Sequence, residues 1–142
     1  MSYFQNEVRI GSFGGPTSAT PDWGYGIVSQ RVNVVNGGAA GTTNNTFYLP
    51  NCEIIDIIWD TEVAWTAATS ATVSVGTTGS PTLFASGIDA KGGVRVRPTF
   101  TLAQNIQNKA VAAGTYTVQV VQVGTGSAGN GNCKILYCPK KP

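Results

Sequence analysis

Apolar and polar residues alternate along much of the chain beyond residue 26, with the period of two that is typical of half-buried strands. Clusters of glycine, proline, asparagine and serine separate the alternating segments, as turns do. Seven or eight short strands joined by turns predict an antiparallel sandwich or barrel. The alternating segments are residues 30–34, 46–49, 53–65, 71–75, 94–100, 115–123 and 134–137.

The longest of these segments, residues 53–65, separates apolar from acidic positions. Its odd-numbered positions are mostly apolar, whereas Asp56, Asp60 and Glu62 all occupy even-numbered positions. Because successive side chains point to opposite faces of a strand, the odd-numbered face is expected to line the core. The segment is either one long strand or two strands with a bend near residues 60–61.

Two other segments carry signs of irregular strands. Pro98 interrupts the segment 94–100 and has no backbone donor, so we expect an edge strand or a bulge there. In the segment 115–123 the alternation changes phase at Val120 and Val121, which predicts a bulge.

A helical pattern is seen at residues 102–113. Leu102, Ile106 and Ala110 are spaced by four residues, and Gly114 is placed to cap the end. The pattern predicts at most one short helix. A doubly wound fold is excluded, because the chain lacks the helices that must cross over between parallel strands.

Residues 1–26 contain glycine and proline too often for a regular element, yet they are rich in aromatic residues. We expect an extended arm that docks on its own body or on a neighbouring molecule, followed by a single β domain at residues 27–142. The aromatic residues of this arm are candidate interface residues: Tyr3, Phe4, Phe13, Trp23 and Tyr25.

The chain has 142 residues, of which 42% are hydrophobic and 11% charged, so a single folded domain is expected and charge-driven disorder is excluded. Its charge is unevenly distributed. Residues 1–90 hold seven acidic and two basic residues, a net −5, whereas residues 91–142 hold seven basic and no acidic residues, a net +7. The two halves either pair within one fold or present opposite charges to other copies or to a partner.

Several kinds of chemistry are excluded by composition. The chain has no histidine, which removes nucleophilic sites that need a Ser-His or Cys-His pair. Its three cysteines, Cys52, Cys133 and Cys138, cannot complete a zinc ligand set, and buried reduced thiols are expected. The glycine run at residues 124–129 matches a dinucleotide-binding template but lacks the following helix and acidic residue, so we interpret it as a hairpin loop.

The acidic residues do not favour catalysis. Asp56 and Asp60 lie roughly 13 Å apart on a strand that rises about 3.3 Å per residue, too far for one site. Asp60 and Glu62, about 7 Å apart by the same rise, leave a carboxylate pair or a metal site open. A solvated or partner-facing acidic face is the preferred interpretation, and we expect neither an enzyme nor a bound metal or cofactor.

Arg95 and Arg97 share one strand face and form the strongest basic pair. They are surface charges, a salt-bridging site for an acidic neighbour, or contacts for single-stranded nucleic acid. Aromatic residues interleaved with basic ones would favour the last reading, and only Phe100 is close. The formal charge of +2 does not indicate duplex binding, and no apolar run is long enough for a membrane span. We therefore expect neither nucleic acid nor a membrane as a partner.

Three runs carry a resemblance to known proteins: residues 71–77, 83–91 and 113–120. They are similar to small proteins encoded beside the major capsid protein of tailed bacteriophages. Over roughly residues 50–123 the chain resembles the cement, or capsid decoration, protein of short-tailed phage heads, such as that of the Bordetella phages.

The resemblance implies a jelly-roll body on the exterior of the virion capsid, assembled in the host bacterial cytoplasm. It implies the phage major capsid protein as partner, and self-association as a homodimer or homotrimer. The family has no catalytic residues to carry over. Nor does the resemblance assign an individual contact residue; it is the aromatic arm and the charge distribution that place the expected interface at the arm, at Asp56, Asp60 and Glu62, and at Arg95 and Arg97.

A second hypothesis is a carbohydrate- or receptor-binding β-sandwich module of a phage tail or fibre. Such a module would use Trp23, Trp59 or Trp65 as an exposed platform on which a sugar stacks. Burial of Trp59 and Trp65 would remove both from that role.

Overall fold

The computed structural model describes residues 26–140 apart from positions 39, 68 and 93. Within that part of the chain there are eight strands and one α-helix. In chain order the elements are β1 (Val28–Val35), β2 (Gly41–Leu49), β3 (Cys52–Val63), β4 (Ser70–Gly76), β5 (Ala85–Asp89), β6 (Arg95–Val96), α1 (Leu102–Lys109), β7 (Gly114–Val123) and β8 (Asn130–Pro139).

The strands form two antiparallel sheets, ordered β1-β8-β3-β6 and β2-β7-β4-β5. The first strand therefore pairs with the last, the second with the seventh, the third with the sixth and the fourth with the fifth. This nesting is the topology of an eight-stranded jelly roll. It confirms the prediction of an all-β antiparallel sandwich with one short helix; residues 1–25 of the predicted arm lie outside the described residues.

The core lies between the two sheets. β3 and β8 supply the fully buried Ile57, Trp59 and Ile135 from one sheet. From the other side, Phe84 packs edge-on against Tyr116, with ring centroids 5.0 Å apart. The apolar inner faces follow from the period-two pattern, because each strand turns one face toward the opposing sheet.

Strand β3 is one long strand, but its alternation changes phase. A bulge between Ile54 and Asp56 leaves Ile55 without a partner in β8. Before the bulge Ile54 is buried, and after it Ile57 is buried, so Ile55 is 45% exposed. The prediction of one continuous apolar odd face is therefore wrong before residue 57, because an inserted residue rotates the strand by one position. The alternative of two strands that meet at a bend near residues 60–61 is not found; a second register shift lies between Thr61 and Val63.

The predicted bulge in β7 is wrong. Its register is continuous with both β2 and β4. The even-numbered positions face the core throughout, so that Gln122 is buried and Val121 and Val123 are exposed. The Gln122 side chain accepts a hydrogen bond from the Asn36 side-chain amide at 2.9 Å. The hydrophobic pattern of the sequence changes phase at this point because Gln122, a polar residue, occupies a core-facing position, where the Asn36 side chain satisfies its hydrogen bond.

The helix α1 lies within the predicted segment but buries the opposite face. Leu102 and Ile106 are 77% and 58% exposed, whereas Gln104 and Asn108 are buried. The Gln104 side chain donates to the Thr82 carbonyl and to Ser86 while completing a capping box with Thr101. Polar side chains with backbone partners thus replace the expected apolar stripe. The helix ends at Lys109 with Ala110 as its C-cap, so Gly114 does not cap it.

The glycine run at residues 124–129 is not a hairpin loop, because β7 and β8 belong to different sheets. It crosses from one sheet to the other and packs on the loop after β3. The Thr66 hydroxyl accepts from the backbone amides of Ser127 and Ala128, and a Cβ on Gly129 would lie 2.5 Å from the Trp65 ring.

The Pro98 prediction is confirmed, since β6 is a two-residue edge strand. Among the described residues no helix has the length and apolar character needed to cross a membrane.

Replacing Gly131 by alanine tests how tightly the core is packed. The added methyl group would lie 2.2 Å from the Trp59 indole, so the ring or the strand must shift. We expect the free energy of unfolding to fall by about 1–3 kcal/mol. Urea denaturation measures it, with Gly79→Ala as the control because a Cβ there meets nothing within 4 Å. Equal midpoints for the two variants would contradict the packing argument.

Candidate interaction surface

The outer faces of the two sheets differ in charge. Strands β2, β4 and β7 contain no charged residue. The outer face of the other sheet carries both basic and acidic side chains, and we call seven of them the charged face. Its members are Arg31, Asp56, Asp60, Glu62, Arg95, Arg97 and Lys134.

The centre of the charged face is Asp60. It pairs with Arg95 across β3 and β6, and the Arg95 Nε lies 2.5 Å from the Asp60 Oδ1. The Lys134 Nζ approaches the other carboxylate oxygen at 3.6 Å from β8. The hydrogen bond from Arg95, together with the two nearby positive charges, lowers the pKa of Asp60. The same carboxylate raises the pKa of Arg95.

A second ion pair joins the Arg97 Nε to the Asp56 Oδ2 at 3.0 Å. The bulge in β3 produces this geometry, because it turns Asp56 outward toward the chain that follows β6. Both arginine side chains nevertheless remain 66% exposed. The ion pairs therefore neutralise, within one molecule, part of the negative charge of residues 1–90 and part of the positive charge of residues 91–142. The guanidinium groups nevertheless stay accessible to a partner.

Asparagine side chains complete the charged face, a feature that sequence reasoning missed. The Asn33 amide donates to the side-chain oxygens of Asn130 and Asn132, at 2.6 and 3.1 Å. Asn132 in turn donates to a carboxylate oxygen of Glu62. These residues come from three neighbouring strands, so only the strand order brings them together. The signal that the sequence offers for this cluster is the alternation of Asn33 with the buried Val32 and Val34, which places Asn33 on the outer face of β1.

The predicted candidates fall into two groups. Asp56, Asp60, Glu62, Arg95 and Arg97 lie together on the charged face. The aromatic residues of the arm lie outside the described residues: Tyr3, Phe4, Phe13, Trp23 and Tyr25.

Neither described tryptophan can act as a stacking platform. Trp59 is fully buried and Trp65 is 2% exposed, so neither ring is available to a sugar. Trp23 lies outside the described residues.

Two of the three cysteine thiols, those of Cys52 and Cys133, are buried. Burial raises the pKa of the Cys52 thiol to about 11 and that of Cys133 to about 12. Thiols with such pKa values stay protonated near neutral pH and are poor nucleophiles. No group of three or more acidic or cysteine side chains in the described part of the chain is arranged to hold a metal ion.

No protein-family model matches the chain, and no curated protein matches it. Two solved phage capsid structures share its fold. The capsid of Ralstonia phage GP4 contains a chain with 19% identity and a TM-score of 0.58; the match covers 89% of this chain and 93% of that one. The cyanophage Pam1 capsid asymmetric unit contains a chain with 17% identity and a TM-score of 0.61, covering 89% and 94%. At these identities the likeness establishes the fold.

The ion pairs of Asp60 predict how stability depends on pH. A lowered pKa in the folded state means that the carboxylate stabilises the fold above its unfolded pKa and ceases to do so as the pH falls through the folded value. We expect Asp60→Asn to unfold at lower urea than the wild type at pH 7, and the difference to fade as the pH falls through the lowered pKa of the folded Asp60. Urea midpoints measured from pH 2 to pH 7 provide the check.

Salt is the control for that experiment. The difference at pH 7 is expected to shrink in about 1 M salt, because the Debye length falls to about 3 Å and the groups are near the surface. A difference that is the same at every pH and salt concentration would show that the amide disturbs packing and that the charge is unimportant.

Proposed function

We propose that the chain is a structural virion protein. It binds the outside of an assembled phage capsid and cements neighbouring subunits of the major capsid protein. The observation that supports this most directly is the extent of the fold likeness. In both capsid structures the match spans more than nine-tenths of the other chain and 89% of this one, so the relatives are whole small chains and not domains of larger subunits.

The surface chemistry agrees with such a role. Trp59 and Trp65 are buried, the buried Cys133 thiol is held protonated, and the charged face offers accessible arginines. A protein that binds the assembled shell but not free subunits stabilises the shell by mass action. Many copies on a lattice make modest individual contacts sufficient.

Two parts of the chain are proposed to contact the capsid. Arg95 and Arg97 keep most of their side-chain surface exposed while paired with Asp60 and Asp56, so each can add a bond to an acidic group of the shell. The aromatic arm, residues 1–26, is proposed to extend this contact. Charge sets the orientation of docking more than its strength.

Co-sedimentation with shells tests the function. We expect the full chain, mixed with shells assembled from the major capsid protein of the same phage, to pellet with them in near-equal copy number. Free capsid subunits under the same conditions are the control and should not bind. Recovery of the chain in the supernatant, with intact shells in the pellet, would contradict the proposal.

Deleting residues 1–26 separates the arm from the body. Since the eight strands that the structure describes all lie beyond residue 26, the shortened chain is expected to fold and to lose shell binding. Circular dichroism checks the fold and the same sedimentation checks binding. Undiminished binding would show that the arm is not a capsid contact.

Reversing the arginines tests the charged face. We expect Arg95→Glu with Arg97→Glu to weaken shell binding by about tenfold or more at low salt, and less at high salt. The matched control is Asp56→Arg with Arg97→Asp, which exchanges the partners of one ion pair and leaves Arg95 in place. Equal binding by the reversed variant and the wild type at low salt would remove the charged face from the interface.

A further inference from the structure

A groove lies between helix α1 and the edge of strand β3 that faces away from β8. Cys52, at the start of β3, exchanges two backbone hydrogen bonds with Val111, and β6 pairs with residues 59–60 farther along. Between these points no strand of the described chain pairs with this side of β3, and α1 packs beside it. The resulting groove has a volume of about 470 Å³. Its lining includes Ile55, Phe100, Asn105, Asn108 and Lys109.

The groove is bordered by exposed apolar side chains. Ile55 on β3 is exposed where the bulge turns it outward. On α1 the exposed Leu102 and Ile106 adjoin Asn105 and Lys109, because residues three and four apart share one side of a helix. Apolar side chains that gather around a groove are typical of a surface that another group covers.

One polar group of the groove lacks a partner. Asn108 is 5% exposed, and its side-chain amide donates to the Phe84 carbonyl at 3.2 Å. The Asn108 Oδ1 accepts no hydrogen bond from any described residue. Buried acceptors are nearly always paired, because an unpaired one loses its hydration without compensation. The group that fills this groove is therefore expected to combine apolar surface with a hydrogen-bond donor.

The described chain begins close to this groove. In the strand order β1-β8-β3, Val28 pairs with Tyr137, and Tyr137 pairs with Ile54. Neighbouring strands lie about 4.8 Å apart, so Val28 is about 10 Å from β3. Ile27, immediately before it, is exposed. Residues 1–25 precede this point, so the arm is joined to the body at the same end of the sheet as the groove.

We propose that Trp23 occupies the groove of its own molecule and fastens the arm to the body. Trp23 precedes Val28 by five residues, which span about 17 Å when extended, enough to pass β3 and reach α1. Tyr25 is only three residues from Val28, a span of about 10 Å that ends at β3. An indole ring has a large apolar surface and one N–H donor, which matches apolar walls and the single acceptor of Asn108.

This anchor goes beyond the proposed function and does not depend on it. It fixes the place where the arm leaves the body and leaves residues 1–22 available to a shell. A segment that is already held at one end loses less conformational freedom when the rest of it binds. The anchor therefore gives the body a means to direct the arm before any partner is met.

Acrylamide quenching of tryptophan fluorescence in the full chain tests the anchor. Trp59 and Trp65 are buried, so a tryptophan that becomes quenchable is Trp23. We expect the wild type to protect all three tryptophans and Ile55→Asp to lose the protection of one, because a carboxylate on the groove wall disfavours an apolar ring.

The matched control for that variant is Val63→Asp. Val63 is 48% exposed and Ile55 is 45% exposed, and both belong to β3, but Val63 does not line the groove. The control should leave quenching unchanged. Adding Trp23→Phe to Ile55→Asp should remove the newly quenchable emission, which identifies the residue.

A second variant blocks the groove without adding charge. Asn105→Phe places a ring of the helix itself in the groove and should also make one tryptophan quenchable. Gln107→Phe is its control, because Gln107 lines a different pocket, on the other side of α1. Both positions are exposed, so folding is expected to persist, and circular dichroism checks it.

Three results would overturn the proposal. The first is a wild type in which one tryptophan is quenched as readily as in a peptide of residues 1–26. The second is protection that survives both Ile55→Asp and Asn105→Phe, which would place Trp23 elsewhere. The third is protection that is lost on dilution, which would assign the groove to the arm of a second copy. The experiment contains no shells, so none of these results bears on the cementing role.

Discussion

The pairing of β8 with β1 on one side and β3 on the other holds the whole sandwich together. It joins Val28 to Tyr137 and Trp59 to Cys133, residues that are far apart in sequence. Closing such long loops costs conformational entropy, which the burial of Trp59 and the inner faces of these strands must offset. Because β8 is the last of the described strands, its sheet is complete only when residues 130–139 are in place.

The bulge in β3 connects this core to the surface. Cys52 and Ile54 set a phase that, without an inserted residue, would turn Asp56 and Asp60 into the core. With Ile55 inserted, Trp59 faces inward and both aspartates face outward, where they meet Arg97 and Arg95. One local irregularity therefore avoids buried carboxylates and creates the ion pairs of the charged face.

The two sheets present different surfaces, and that division suits a bridging protein. One outer face holds accessible arginines that are already partnered within the chain, so a neighbour must add bonds to them without breaking those in place. The other sheet has no charged residue in β2, β4 or β7, and it ends at β2, whose far side pairs with no strand of the described chain. Charges orient a partner at long range, whereas backbone pairing needs close and ordered contact. A small body that has both a charged face and a regular edge strand is able to contact two kinds of neighbour at once.

The sequence by itself determined the period-two strands, the single short helix and the edge position of the strand before Pro98, because these follow from local alternation and backbone chemistry. It also placed Asp56, Asp60 and Glu62 on one side of a strand. Only the tertiary structure decided that Gln122 and Gln104 are buried and that the glycine run joins two sheets. It also decided which arginine meets which aspartate. Those outcomes depend on partners distant in sequence, such as Asn36 for Gln122 and Thr82 for Gln104, and local pattern carries no information about them.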